Sequence, residues 1–298
     1  MRFDVAVTGG LLVDPEWGTL RGGLGIKDGR IAAVLAPHER PDADETIDAT
    51  GLVVMPGVID PHTHLGYALP FEEDLATETR SAALGGVTTV MSFYRPYKGA
   101  EPAPYDEIPE LVEAINRRAV VDVALHLGML AESQVNEIPR YAAAGVSSHK
   151  FYMAYRGPDG ATVGMVNECD DGLLLEGLRL LGEHNGVACV HAENTDIVNR
   201  TMRQVRESGA TGLRAWSAAR PAFAEAENIH RVAFLARRTD ATVYLVHIGS
   251  RESLEAAVQE KRAGGRVRIE TCPHYLTHTY DSPVGSLAKI NPPVRTAD

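Results

Sequence analysis

Cysteine is scarce in this chain, with Cys169, Cys189 and Cys272 the only three among 298 residues. They are widely separated, odd in number and form no CxxC pair, which excludes a disulfide framework and a thiolate zinc site and points to a reducing cytoplasm. Long apolar runs are missing as well. No stretch approaches the roughly eighteen apolar residues of a membrane span, and the N-terminus carries an acid at Asp4 with only short apolar runs around it. Positive charge is also in short supply. The 29 Lys and Arg residues face 40 Asp and Glu, a net charge of −11, whereas nucleic acid or an anionic membrane would call for clustered cations. A small molecule is the expected partner, with no nucleic acid and no membrane.

What is present suits a globular enzyme. At 44% hydrophobic content the chain can bury a sizeable core. Residues 1–56 read as short strands broken by glycine turns: Phe3 to Thr8, Leu24 to Lys27, Arg30 to Leu35 and Leu52 to Met55. Asp28-Gly29 between apolar runs is a hairpin signal. From Pro56 onward apolar strand runs alternate with helical stretches, the pattern of βαβ units and a parallel sheet. The strands expected are Val58–His64, Thr88–Phe93, Val121–Leu127, Ser147–Tyr152, Ala188–Glu193, Thr242–His247 and Val267–Thr271. Helices are expected over Asp74–Leu84, Ile108–Ala119, Leu173–His184, Glu225–Arg238 and Ser253–Gly264. The Pro-rich piece from Glu101 to Pro104 reads as a barrel loop. The fold class is therefore α/β: a small N-terminal β-sandwich unit over 1–56, then a TIM (β/α)8 barrel over 57–298. Seven strands fall within the chain and the eighth is expected beyond Asp298.

The chemistry gathers at the strands' C-terminal ends, where TIM barrels place their active sites. His62 and His64 are two apart at the end of the first barrel strand, so both imidazoles face one side. A lone HxH is more often a chance pair than a metal site. Here, however, Lys150 near the end of the fourth strand, His191 on the fifth and His247 ending the sixth fall on the same rim. Buried among histidines, Lys150 loses its proton easily, and a neutral amine can add carbon dioxide to give a carbamate able to bridge two cations. Its alternative is an ordinary ion pair with a rim acid. Two divalent ions, zinc by its suitability to nitrogen and oxygen ligands with manganese or cobalt as alternatives, would share a water and lower its pKa, producing a hydroxide that attacks carbonyl carbon. His126 reads as a core or supporting histidine, and His38, His149, His184, His230, His274 and His278 receive no role.

The sequence Val54-Met55-Pro56-Gly57-Val58-Ile59-Asp60-Pro61-His62-Thr63-His64 continues into the Gly85-Gly86-Val87-Thr88-Thr89 motif. With these go the lysine segment His149 to Tyr155, the His191 and His247 strands and Asn291-Pro292-Pro293-Val294-Arg295. Together they resemble the amidohydrolase superfamily, and within it the cyclic amidohydrolases of hydantoinase and dihydropyrimidinase type. The resemblance implies a binuclear metal centre, with His62 and His64 on one ion, His191 and His247 on the other and N6-carboxylated Lys150 bridging them. It implies a proton-shuttle aspartate after an eighth strand, expected beyond residue 298, and C-terminal strands that complete the small β domain. It implies Tyr155, five positions after the lysine, as hydrogen-bond donor to an oxyanion. Asn291 would hold the ring amide. A loop tyrosine packed by its ring and a loop-capping asparagine are the plainer alternatives for these two. It further implies a homo-oligomer, dimer or tetramer, that opens a hydantoin or dihydropyrimidine ring to an N-carbamoyl amino acid. Leu65-Gly66-Tyr67 stands where dihydroorotases carry an arginine, while the Asn-Pro-Pro segment is closer to dihydroorotases. Allantoinase or dihydroorotase activity, or an inactive dihydropyrimidinase-like scaffold, are the other readings.

Overall fold

The computed structural model describes residues 2–16, 18–95 and 107–297. The Pro-rich piece at Glu101–Pro104 and Asp298 lie outside the described residues. The chain divides into two compact units, one comprising residues 1–59 and 86–88, the other 60–85 and 89–298.

In the first unit β1 (Phe3–Asp14), β2 (Gly18–Lys27), β3 (Arg30–Leu35), β4 (Ala43–Asp48) and β5 (Val53–Val54) form one sheet, ordered β3-β2-β1-β4 with β5 also on β1. From Ala6 to Leu12 every second residue of β1 is buried, the period that a one-sided sheet requires. Asp28 and Gly29 both have positive φ, 51° and 70°, and join the paired residues Lys27 and Arg30. That is the type I′ turn which the Asp-Gly pair predicts. Gly9-Gly10, by contrast, does not end β1. Gly9 takes φ 74° and the register to β2 shifts between Val7 and Gly10, so a bulge absorbs the glycines and the strand runs on. The mostly exposed β4, of sequence Ala-Asp-Glu-Thr-Ile-Asp, has no apolar alternation and gave no strand signal.

The second unit is a TIM-type barrel. β6 (Val58–Thr63), β7 (Val87–Tyr94), β8 (Asp122–Met129), β9 (Ser148–Tyr152), β10 (Val187–His191), β11 (Thr242–Leu245) and β12 (Val267–Ile269) form one seven-stranded sheet in strict chain order. The pairings from β7 to β12 are all parallel. Five helices stand where periodicity places them: α1 (Phe71–Leu84), α2 (Ile108–Arg118), α6 (Asp171–Glu183), α9 (Ala222–Arg238) and α10 (Arg251–Arg262). Unforeseen are α3 (Glu132–Val135), α4 (Ile138–Ala143), α5 (Pro158–Thr162), α7 (Thr195–Glu207), α8 (Gly212–Ala219) and α11 (Pro273–Thr277). Most are short. The longest, α7, is mainly polar and is fixed by its cap, the Asn194 side-chain oxygen accepting from the Asp196 and Ile197 amides at 3.0 and 3.2 Å.

The main core lies between strands and helices. Leu174, Leu178 and Leu181 recur on one face of α6 and are fully or almost fully buried, in one cluster with Phe151 of β9 and Val190 of β10. Each such leucine contributes about 1.5–3 kcal/mol by leaving water. Gly177 permits the approach, since a methyl there would meet the Phe151 ring at 2.4 Å. A separate cluster groups Phe93, Cys189 and Val246. No helix of the described residues is long and apolar enough to cross a membrane.

Candidate active site

The barrel strands deliver the predicted residues to one place. His62 and His64 leave the end of β6, Lys150 stands on β9, His191 ends β10 and His247 follows β11 by two residues. With Tyr155 and Asn291 they line a single cavity of about 510 Å³. The rings form a continuous arc: His64 to His62 at 5.3 Å between centres, His62 to His247 at 5.3 Å, His247 to His191 at 4.5 Å and His191 to Tyr155 at 4.9 Å. Lys150, only 1% exposed, rests its Nζ 4.4 Å from the centre of the Phe93 ring, and its charge bears on all four imidazoles. No sequence-predicted site residue lies outside this group.

Burial is the main cause of the lowered pKa of His62, His191 and His247, and nearby positive charge deepens the effect. His64 is also lowered, by burial first and then by His62 and Lys150. Its side chain nonetheless opens onto the cavity. The rings are therefore neutral at physiological pH, with lone pairs to give. Burial likewise brings the Lys150 ammonium down to about 7, within reach of a neutral amine.

Each half of the arc is oriented by a carboxylate. Glu270, just past β12, accepts from His62 Nδ1 at 2.7 Å and from the His247 backbone amide at 2.8 Å, which leaves His62 Nε2 as the free donor atom. Glu193 contacts His191 Nε2 at 2.6 Å and leaves Nδ1 free. Carboxylates that fix histidine tautomers in this way are typical support for metal ligands. The Nδ1 of His247 is buried without a hydrogen-bond partner, an orphan that a cation would satisfy. Among the described residues no three His, Cys, Asp or Glu side chains already close around one point as a metal site. The donors stand as histidine pairs near one lysine, so they suit two ions once Lys150 carries a carbamate. That set fits the expected group.

Behind His191 lies a buried ionic network. Arg220, with no exposed surface, donates through Nη2 to Glu193 at 2.6 Å and through Nη1 to Asp159 at 2.7 Å. Asp159 in turn accepts the Tyr155 backbone amide at 3.1 Å. Burial alone would raise the Glu193 carboxyl, but Arg220 and His191 outweigh it and hold it below the usual range. Burial pushes the Tyr155 phenol up, so it stays protonated. Tyr155 and His247 both carry positive φ, 64° and 44°, and such strain in residues other than glycine persists where surrounding structure enforces it. The Asn291 side chain approaches the Tyr155 hydroxyl, and its Oδ1 is buried without a partner.

Sequence reasoning missed Glu193, Arg220, Asp159 and Glu270. Glu193 lies two residues after His191, and Glu270 lies at the end of a predicted strand; these spacings were the available signals. Arg220 and Asp159 gave none, since one directly follows α8 and the other lies in the short α5, two unforeseen helices joined at this point only by the fold. His274, given no role from sequence, lines the cavity, as do Arg95, Cys272 and Lys289. His126 supports from behind, its ring stacked 4.3 Å from Phe93 and its Nδ1 2.6 Å from the Ser148 hydroxyl.

No protein-family model matches the chain. It is 33% identical over 304 residues to an allantoinase of Bacillus licheniformis, covering 99% of this chain and 65% of that protein. An L-hydantoinase of Paenarthrobacter aurescens is 31% identical over 305 residues, with 99% and 64% covered. Among solved structures, an L-hydantoinase (dihydropyrimidinase) from Arthrobacter aurescens matches with a TM-score of 0.89 at 31% identity, over 99% of this chain and 64% of that one. A D-hydantoinase matches at 0.83 and 32% identity, covering 99% and 64%. The chain thus spans a little under two thirds of the relatives it matches.

Proposed function

We propose, from the premise that the chain belongs to the cyclic amidohydrolases of the amidohydrolase superfamily, that it opens the ring of a hydantoin-like or dihydropyrimidine-like cyclic amide to an N-carbamoyl amino acid. The observation carrying this reading is the meeting of four neutral imidazoles, a buried lysine, a protonated tyrosine and an asparagine around one cavity of about 510 Å³. That volume suits a small ring and its substituent.

His62 and His64 would hold one divalent ion and His191 and His247 another, with carboxylated Lys150 between them; zinc suits these nitrogen and oxygen donors. When bound, such ions supply water activation near neutral pH and polarisation of a carbonyl oxygen. Glu270 and Glu193 keep the histidine donor atoms aimed inward. Tyr155 donates a hydrogen bond from its hydroxyl to the oxygen that gains charge as the ring carbonyl turns tetrahedral. Asn291, with an unpartnered acceptor, takes a ring N–H and sets which carbonyl faces the water. Hydrolysis leaves a hydroxyl on the carbonyl carbon and a proton on the departing nitrogen. No Asp or Glu is among the described residues that line the cavity to carry that proton.

A second reading, ring opening of allantoin, is supported by the allantoinase among the relatives. Hydantoin, dihydrouracil, allantoin and dihydroorotate assayed side by side on the metal-loaded chain separate the two. Opening of none of them, or a Lys150→Ala variant with full metal content and full turnover, overturns the proposal.

A further inference from the structure

The cavity departs from the rest of the chain in its charge. In a protein with 40 acidic and 29 basic residues, the lining among the described residues holds no carboxylate, yet it holds Arg95 and Lys289 besides Lys150. Arg95, directly after β7, is the telling one. It is only 6% exposed, its guanidinium lies 4.4 Å from the centre of the Tyr67 ring, and none of the described residues forms an ion pair with it. A buried arginine without a counter-charge forfeits hydration that one ring face repays only in part. Tyr152 adds a second unsatisfied group, since its hydroxyl is buried and has no hydrogen-bond partner. The two side chains flank Gly128: a methyl placed there would lie 3.3 Å from Arg95 Cβ and 3.8 Å from the Tyr152 ring. The positive charge of Arg95 is felt at Tyr152 and at His64.

Position decides what this pair is for. Tyr155 packs on His191 at one end of the histidine arc, while Tyr67, which carries Arg95 on its face, approaches His64 at the other, 6.3 Å between ring centres. The oxyanion formed during hydrolysis belongs to the Tyr155 end. A cation held at the opposite end faces a charge the substrate already has.

We propose that Arg95 and Tyr152, with Tyr67 as a stacking floor, form an anion clamp selecting cyclic amides that bear a permanent carboxylate on the ring or a short side chain. The clamp rests on the cyclic-amide reading for the rest of the substrate. Dihydroorotases carry their arginine shortly after the HxH pair; here the guanidinium reaches the cavity from the next strand instead.

The test uses matched ligands on the metal-loaded full chain: a hydantoin with an acetate side chain and its uncharged acetamide twin, read by calorimetric affinity and by ring opening. Wild type is expected to prefer the acetate by roughly 10- to 100-fold, the range for a hydrogen-bonded charge. Arg95→Met should bring that ratio near one, and Arg95→Lys should keep part of it. Circular dichroism reports whether the variants fold; if Arg95→Met does not, the wild-type ratio and Arg95→Lys still decide. Equal affinity of wild type for the twins overturns the clamp, as does an Arg95→Met variant that keeps the preference. So does a variant that loses affinity only for the ring-opened product, for then Arg95 serves the new carboxylate. An Arg95-dependent preference without ring opening of either twin upholds the clamp and overturns the hydrolase reading.

Discussion

Arg220→Met puts the network behind His191 to a quantitative test. Arg220 has no exposed surface and pairs with Glu193 and Asp159, which are 0% and 1% exposed. Methionine fills similar volume but leaves two buried carboxylates without their cation. Removing one partner of such a buried pair costs about 3–5 kcal/mol, and for a chain of this size that lowers Tm by on the order of 10 °C. The pH dependence makes the argument specific. In the wild type Glu193 has a depressed folded-state pKa, so its contribution is present above the ordinary carboxylate range and is lost only as pH falls through the depressed value, in strong acid. Without Arg220, burial becomes the leading influence on Glu193 and moves its pKa upward. A carboxylate raised in the folded state costs stability above that pKa, and the cost fades as the group takes a proton. The deficit of the variant should therefore be largest near pH 7.5 and shrink toward pH 5. Urea unfolding of both proteins across that range, followed by circular dichroism, measures it. A deficit under about 1 kcal/mol at pH 7.5, or one that grows on acidification, refutes the reasoning.

Other changes read other parts of the site. Glu270→Gln keeps the shape but weakens the hold on His62 and His247, so metal titration should show roughly 10- to 100-fold lower affinity; unchanged affinity would remove Glu270 from its supporting role. Tyr155→Phe deletes one hydrogen-bond donor and should lower kcat by about 100- to 1000-fold with KM within a few-fold, whereas a purely structural tyrosine would show its loss in thermal stability instead. Leu178→Ala, at a fully buried position of α6, should cost about 2–5 kcal/mol in urea unfolding and leave the metal content of the folded protein intact.

The barrel and its ligand arc were legible in sequence for a common reason. Parallel strands buried on both faces read as short apolar runs, and the chemistry of this fold sits where those runs end, so the strand ends by themselves mark His62, Lys150, His191 and His247. The elements that escaped were those fixed by something other than apolar period: β4 is largely exposed, α7 is held by its Asn194 cap, and β1 crosses two glycines through a bulge. The missing part of the site follows the same logic. Arg220 and Asp159 meet across 61 residues and His62 and Glu270 across 208, contacts that no local pattern encodes. Arg95 is the sharpest case. Its neighbours in sequence, Tyr94 and Pro96, give no hint of a charged site, and the residue became informative only when folding buried it against Tyr67 on a cavity wall that holds no acid among the described residues. Motif spacing thus reaches the atoms proposed to hold metal, because strand geometry sets their separation. The groups that choose the substrate are set by which side chains the barrel mouth leaves without partners, and that is a property of the folded chain alone.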